Sequence, residues 1–330
     1  MIQNRELKQQ AENRLTSSQQ EKKIILFYAG GLCIISVIYL LLDLLITSLT
    51  PQTGGLSTMG IRSFLSALSG ILPVISFLLS MCLGFGYMGG MVRISRGQYA
   101  SPNALRTGFE RFWPLFRLTV LKGLILFGCA IGASYLTAII FSFTPFANQF
   151  LGVVEPMMSG GSLLNEGTLV LNDAVMDALY SASIPILIIF LLVMAVFVVP
   201  MLYRLRMTDY VLYDHPEGGA LYAIRESRKM MRNHRLAIFK LDFSFWWFYL
   251  ALTICYGLNY SPVLLSLIGV TLPISPDVAS VVFFLLSTLA EFALNYFLRN
   301  KMEVTYALAY NALKPQEQSG GVVLGNIFQM

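Results

Sequence analysis

Charge is what this sequence has least of. Only 12% of its 330 residues are Asp, Glu, Lys or Arg, about half the roughly 25% of an average soluble domain. With 56% hydrophobic residues and a mean hydropathy of +0.65, that scarcity excludes a string of water-solvated domains, whose surfaces need charge. Histidine is scarce too, with only His215 and His234, both in one connecting segment. The four cysteines, Cys33, Cys82, Cys129 and Cys255, each stand alone in an apolar block. Without a CxxC pair or a second ligand they read as small buried hydrophobes, not as disulfides or metal ligands. HExxH, GxSxG, GxxxxGK with Ser or Thr, and GxGxxG at a strand-to-helix turn are all missing. Zinc hydrolase, serine hydrolase and nucleotide-binding patterns are thereby absent. The sequence assigns no catalytic residue, metal or cofactor.

What it does have is long apolar runs. A helix needs about 20 mostly apolar residues to cross roughly 30 Å of hydrocarbon, and six segments qualify: 24–49, 71–92, 115–141, 184–203, 238–258 and 278–298. The first follows a charged stretch but is too long for a signal-peptide core and has no small-residue cleavage site. It therefore reads as an uncleaved anchor.

The cations set an orientation. Every Lys and Arg except Arg62 falls in residues 1–23, in the second or fourth connection, within about two turns of those connections, or after the sixth run. The third connection carries instead Glu155, Glu166, Asp173 and Asp177. Cytoplasmic loops hold the excess of basic residues, so six spans put both termini in the cytoplasm. Positive charge distributed this way, with no aromatic stacking platform, argues against a nucleic-acid partner.

Two cytoplasmic connections read as helices lying on the membrane surface. Ser101-Pro102 resembles a helix start, with Leu105, Phe109, Phe112 and Trp113 on one face and an Arg106–Glu110 pair on another. The second helix starts at Asp214-His215-Pro216-Glu217, an acidic variant of a capping box. There Arg225, Arg228, Lys229, Arg232 and Arg235 form a stripe opposite Ala220, Ala223, Ile224, Ser227, Met230 and Met231. A basic stripe with an apolar back suits anionic lipid headgroups. Outside, Leu171, Val175 and Leu179 recur every four residues, as in a short amphipathic helix.

Ionisable residues within a bilayer are costly and mark functional hypotheses. Asp43 lies near the outer end of the first span, and Lys122 and Asp242 lie near cytoplasmic ends where each offers the other a partner. The leading candidate is Glu291, about 12 Å inside the sixth span, on a polar stripe of Ser287, Glu291 and Asn295. That stripe either lines a cavity for a proton, cation or polar substrate, or hydrogen-bonds neighbouring helices as packing glue. Gly86–Gly90 and Gly128–Gly132 are GxxxG motifs suited to joining the second and third spans.

The run Asp214-His215-Pro216, Ala223-Ile224, Ser227, Met230-Met231 and Phe239-Lys240-Leu241-Asp242-Phe243-Ser244-Phe245-Trp246 resembles an uncharacterised bacterial family of six-span integral membrane proteins, a domain of unknown function. Gly86, Arg96-Gly97 and Gly108-Phe109 are similar to its earlier half, and the likeness covers roughly residues 20–310. Asn233-His234 departs from the family's glycine beside a basic residue. The resemblance implies six spans and a bacterial plasma membrane, and it implies no activity.

The reading is an all-α polytopic membrane protein, a six-helix bundle with two cytoplasmic interfacial helices. Its parts are a cytoplasmic segment 1–23, a transmembrane domain 24–313 and a mobile cytoplasmic tail 314–330. The leading function is a non-enzymatic structural, interaction or lipid-organising role, with anionic lipids as partners. The alternatives are a transport component along the Glu291 face and, third, an intramembrane enzyme acting on lipids.

Overall fold

The computed structural model describes residues 2–17, 21–49, 56–148, 164–165, 168–169, 173–267 and 275–314. Most of the expected tail therefore lies outside the described residues, as do the side chains of Leu171, Val175 and Leu179. The described chain is all-helical apart from one antiparallel pair of two-residue strands, β1 (Leu164–Asn165) and β2 (Thr168–Leu169). Its helices are α1 (Ile2–Ser17), α2 (Glu21–Leu49), α3 (Leu56–Ser95), α4 (Thr107–Glu110), α5 (Phe112–Ser142), α6 (Asp173–Arg204), α7 (Thr208–Asp214), α8 (Gly219–Met230), α9 (Arg235–Phe243), α10 (Trp246–Asn259), α11 (Ser261–Leu267), α12 (Pro276–Leu294) and α13 (Asn300–Leu313).

Five helical runs are long and apolar enough to cross a membrane: Lys22–Leu49, Gly60–Ser95, Phe112–Ser142, Ser183–Asp214 and Val278–Leu313. Their most apolar windows are only 6% to 22% buried within the protein. Leu41, Phe77, Phe127, Leu192 and Val196 are all exposed. Apolar surface on this scale does not face water; these are helices of a membrane protein, presenting side chains to lipid. A sixth crossing exists if α9 and α10, bent by 61°, count as one broken span.

The chain forms two compact units, residues 1–116 with 207–330, and residues 117–206. In the first, burial is concentrated where the charges are. The Val278–Leu313 run of 36 residues is about 54 Å long, well beyond the roughly 30 Å of hydrocarbon. The surplus is α13, in which every residue from Val304 to Tyr310 is buried. A helix buried on all sides needs neighbours on all sides, and α1 and α3 pack against it. In the second unit Phe141 and Ala147 form a small core with Ile186 and Ile189.

Two glycines explain how the connection after α3 sits. A Cβ on Gly86 would run into the backbone carbonyl of Leu105, and one on Gly108 into that of Cys82. The Pro102–Arg106 turn and α4 thus lie backbone-to-backbone on α3. Gly86 thus serves the connection, and among the described residues nothing lies within 4 Å of a Cβ placed on Gly128 or Gly132. The expectation for the first surface helix is corrected, because that helix breaks at Arg111. Leu105 turns inward, whereas Phe109 and Trp113 stay exposed and Trp113 belongs to α5. The exposed Arg106–Glu110 pair forms at 3.2 Å.

The expected run 238–258 is broken at Ser244-Phe245, where a bilayer-level chain break would strand polar backbone groups. Lys8 of α1 donates to the Ser244 carbonyl at 2.9 Å, its ammonium 4.2 Å from the Phe245 ring centroid. On the other side the buried Tyr306 hydroxyl donates to Asp242 of α9 and lies 3.1 Å from the Tyr249 hydroxyl of α10. The bend is held by α1 and α13.

Candidate functional site

The predicted polar stripe faces inward along α12. Ser287 Oγ donates to the Cys255 carbonyl of α10 at 2.8 Å. Glu291 Oε1 accepts from the Tyr256 hydroxyl at 3.4 Å, a long contact. Asn295 Nδ2 donates to the Glu291 carbonyl at 2.9 Å, and its Oδ1 accepts from Arg299 Nη1 at 3.0 Å. Beside Glu291 and Asn295 is a cavity of about 10 Å³, also bordered by Ala29, Cys33, Ser36 and Thr288. That is room for about one water molecule.

The helix widens just past the stripe into a π turn at Asn295–Arg299, a local geometry frequent at functional sites. It delivers Arg299, which the sequence reading passed over as a flanking charge. The guanidinium lies 4.9 Å and 5.6 Å from the Tyr28 and Tyr87 ring centroids, and those rings stack at 4.4 Å. Arg299 Nε is 3.6 Å from Glu303 Oε1, and Tyr87 donates to Asn300 Oδ1 at 2.7 Å. A cation against ring faces gains about 0.5–2 kcal/mol where water is excluded.

A second cluster was also missed. Asp214 does not cap a helix: α8 starts at Gly219 (φ 69°) with no side-chain cap. Its carboxylate instead takes both Nη atoms of Arg96, at 2.9 and 2.7 Å, the Tyr310 hydroxyl at 2.9 Å and Lys314 Nζ at 3.1 Å. Arg96 Nε continues to Asn311 Oδ1 at 3.1 Å, and Asn311 Nδ2 donates to Ser95 Oγ at 2.9 Å. One buried carboxylate therefore joins the ends of α3, α7 and α13. Asp242, similarly, accepts from the Tyr306 hydroxyl.

The basic stripe lies on α8 and just beyond. Ala220, Ala223, Ile224, Ser227, Met230 and Met231 are buried, and the Met207 N–H donates to Ser227 Oγ at 3.2 Å. Arg225, Arg228, Lys229 and Arg232 are exposed, while Arg235 is half-buried. A family model, described as Protein of unknown function (DUF975), matches residues 1–317. The chain belongs to this family. No curated protein and no solved structure matches it. Gly86 and Gly108 seat the connection on α3, Arg96 and Asp214 form the ion pair, and Ser227 with Met230 anchors α8. Among the described residues no group of three or more His, Cys, Asp or Glu is arranged to hold a metal.

Proposed function

We propose that the chain is a six-span protein of the bacterial plasma membrane, with both termini cytoplasmic, whose role is non-enzymatic: it organises anionic lipid at the cytoplasmic face. The six-span count takes α9 and α10 as one broken span, and the orientation follows the cation bias. The observation that carries the reading is α8, whose apolar side is fixed in the packed base while Arg225, Arg228, Lys229 and Arg232 stand exposed. Each cation near an anionic surface contributes about 1 kcal/mol.

The test reconstitutes the full chain in nanodiscs of mixed phosphatidylglycerol and phosphatidylcholine and counts co-purified lipids by native mass spectrometry. Enrichment of the anionic lipid, weakening with salt and lost when the four cations become Gln, supports the reading. Equal enrichment in the variant sinks it. Reagent labelling from outside the cell at a cysteine introduced at position 228 would overturn the orientation.

A second reading is supported by the π turn and the cavity beside Glu291: a transport component whose path opens at that point. Proton or cation flux in proteoliposomes that Glu291→Gln abolishes, with folding intact, would favour it. A Glu291→Gln change felt only as lower thermal stability favours packing.

A further inference from the structure

The cavity between α1 and α9 is larger than that at Glu291, about 460 Å³, within the range of small-molecule sites. Its wall is predominantly apolar, built partly from Phe239 and Phe243, and Phe243 is 67% exposed. Arg5, Lys8 and Lys240 stand around it.

Three cations at one apolar opening need a counter-charge, and the protein supplies little. Lys8 is committed to the Ser244 carbonyl and the Phe245 ring. The Arg5 and Lys240 side chains are exposed and make no hydrogen bond or ion pair among the described residues. Burial, followed by the charge of Lys301, pushes the Lys8 ammonium below the ordinary lysine range; a nearby anion would reverse that strain.

The level of the cavity argues for what the anion is attached to. It adjoins the break in the fifth apolar run, where Trp246 and Trp247 follow immediately, both exposed. Tryptophan side chains concentrate at the membrane–water interface. A free phosphate would satisfy the cations and leave the phenylalanine wall bare. A phospholipid satisfies both, with its phosphodiester between Arg5 and Lys240 and the upper part of an acyl chain on Phe239 and Phe243.

We propose that the cavity between α1 and α9 is a binding site for one anionic phospholipid, held by its phosphate at Arg5 and Lys240. The site rests on the lipid-organising reading above but is separate from the α8 stripe.

The test uses the purified full chain in neutral detergent, titrated with dihexanoyl-phosphatidylglycerol, dihexanoyl-phosphatidylcholine or inorganic phosphate. Binding is followed by native mass spectrometry and by the shift in Tm. The expected order is phosphatidylglycerol well ahead of both controls. Neutralising Arg5→Gln and Lys240→Gln should weaken it by about fivefold for each charge. Phe243→Ser should weaken both lipids and leave phosphate unchanged.

Equal affinity for phosphatidylcholine overturns the role of the cations, and a phosphate response equal to that of the lipid overturns the acyl contact. Anionic-lipid binding that survives Arg5→Gln and Lys240→Gln but is lost on neutralising Arg225, Arg228, Lys229 and Arg232 overturns this site while leaving the general reading intact. No anionic preference in any variant removes both.

Discussion

Replacing Asp214 by alanine tests whether the charged ends of the helices, more than the apolar spans, hold the first unit together. The substitution strands the Arg96 guanidinium, the Lys314 ammonium and the Tyr310 hydroxyl, which all converge on this carboxylate. Removing one partner of a buried ion pair costs about 3–5 kcal/mol. The Asp214 side chain is only 7% exposed, but Arg96 is 29% and Lys314 38% exposed. Water recovers part of the loss at those two cations, leaving about 2–4 kcal/mol. For a chain of this size that corresponds to a Tm lower by about 3–6 °C, read by thermal unfolding of the purified protein in detergent. A double-mutant cycle with Arg96→Gln separates the pair from the individual desolvation effects, and coupling of about 1–3 kcal/mol is expected between bonded residues. The exposed Arg106–Glu110 pair is the internal control, because Arg106→Gln should change stability by less than about 1 kcal/mol. A Tm for Asp214→Ala within a degree of the parent, or strict additivity with Arg96→Gln, would refute the reasoning.

Gly108→Ala and Gly86→Ala each force a methyl group into a backbone carbonyl of the opposing segment, so both should lower expression of folded protein sharply, whereas Gly128→Ala should be tolerated. Size-exclusion profiles of the three variants in one detergent provide the comparison, and an aggregated Gly128→Ala beside a monodisperse Gly108→Ala would contradict it. Glu12 of α1 lies 2.7 Å from Lys301 of α13, and the hydrogen bond and then the charge of that lysine hold its carboxyl below the ordinary range. A depressed carboxylate pKa stabilises the fold above the ordinary Glu value, about 4.3, and loses that contribution as pH falls through the lowered folded value. Hydrogen exchange should therefore show α1 loosening on acidification after correction for intrinsic rates. The same pH step in Lys301→Met would exclude the pair as its cause.

The apolar runs could be read from the sequence because the bilayer imposes a length on them that no distant residue alters. The same holds for the buried arc of α8, since Ala220, Ala223, Ile224, Ser227 and Met230 follow the helix's own period. Long-range pairing could not be read in this way. Arg96 finds Asp214 118 positions away, Tyr87 finds Asn300 213 away, and Lys8 finds Ser244 236 away. The misreading of Asp214 shows the competition directly. Its sequence neighbourhood offered a cap for the helix that follows, which satisfies amide donors with a half-exposed carboxylate. The tertiary fold offered two cations and a phenol, and charge-assisted bonds are roughly twice as strong as neutral ones. An acid at the end of one helical run and an arginine closing another were the available signal.

The broken fifth run joins these observations. Six equal spans would need no contact between α1 and the bundle, and charge bias alone would account for Arg5 and Lys8. Yet Leu7 and Ala11 of α1 are buried, and Lys8 donates to the Ser244 carbonyl at the bend. Tyr306 closes the other side by bonding both arms, Asp242 and Tyr249. The helix α13, buried from Val304 to Tyr310, is therefore the post around which α1, the end of α3 and the bent arms are fixed, and its depth of burial follows from serving all of them at once. A segment that only marked topology would have no reason to bury seven residues in succession. Two groups of basic residues stand out among the described residues. Arg96, Arg299 and Lys8 are bonded inside the base, whereas Arg5, Lys240 and the cations on the outer face of α8 are exposed.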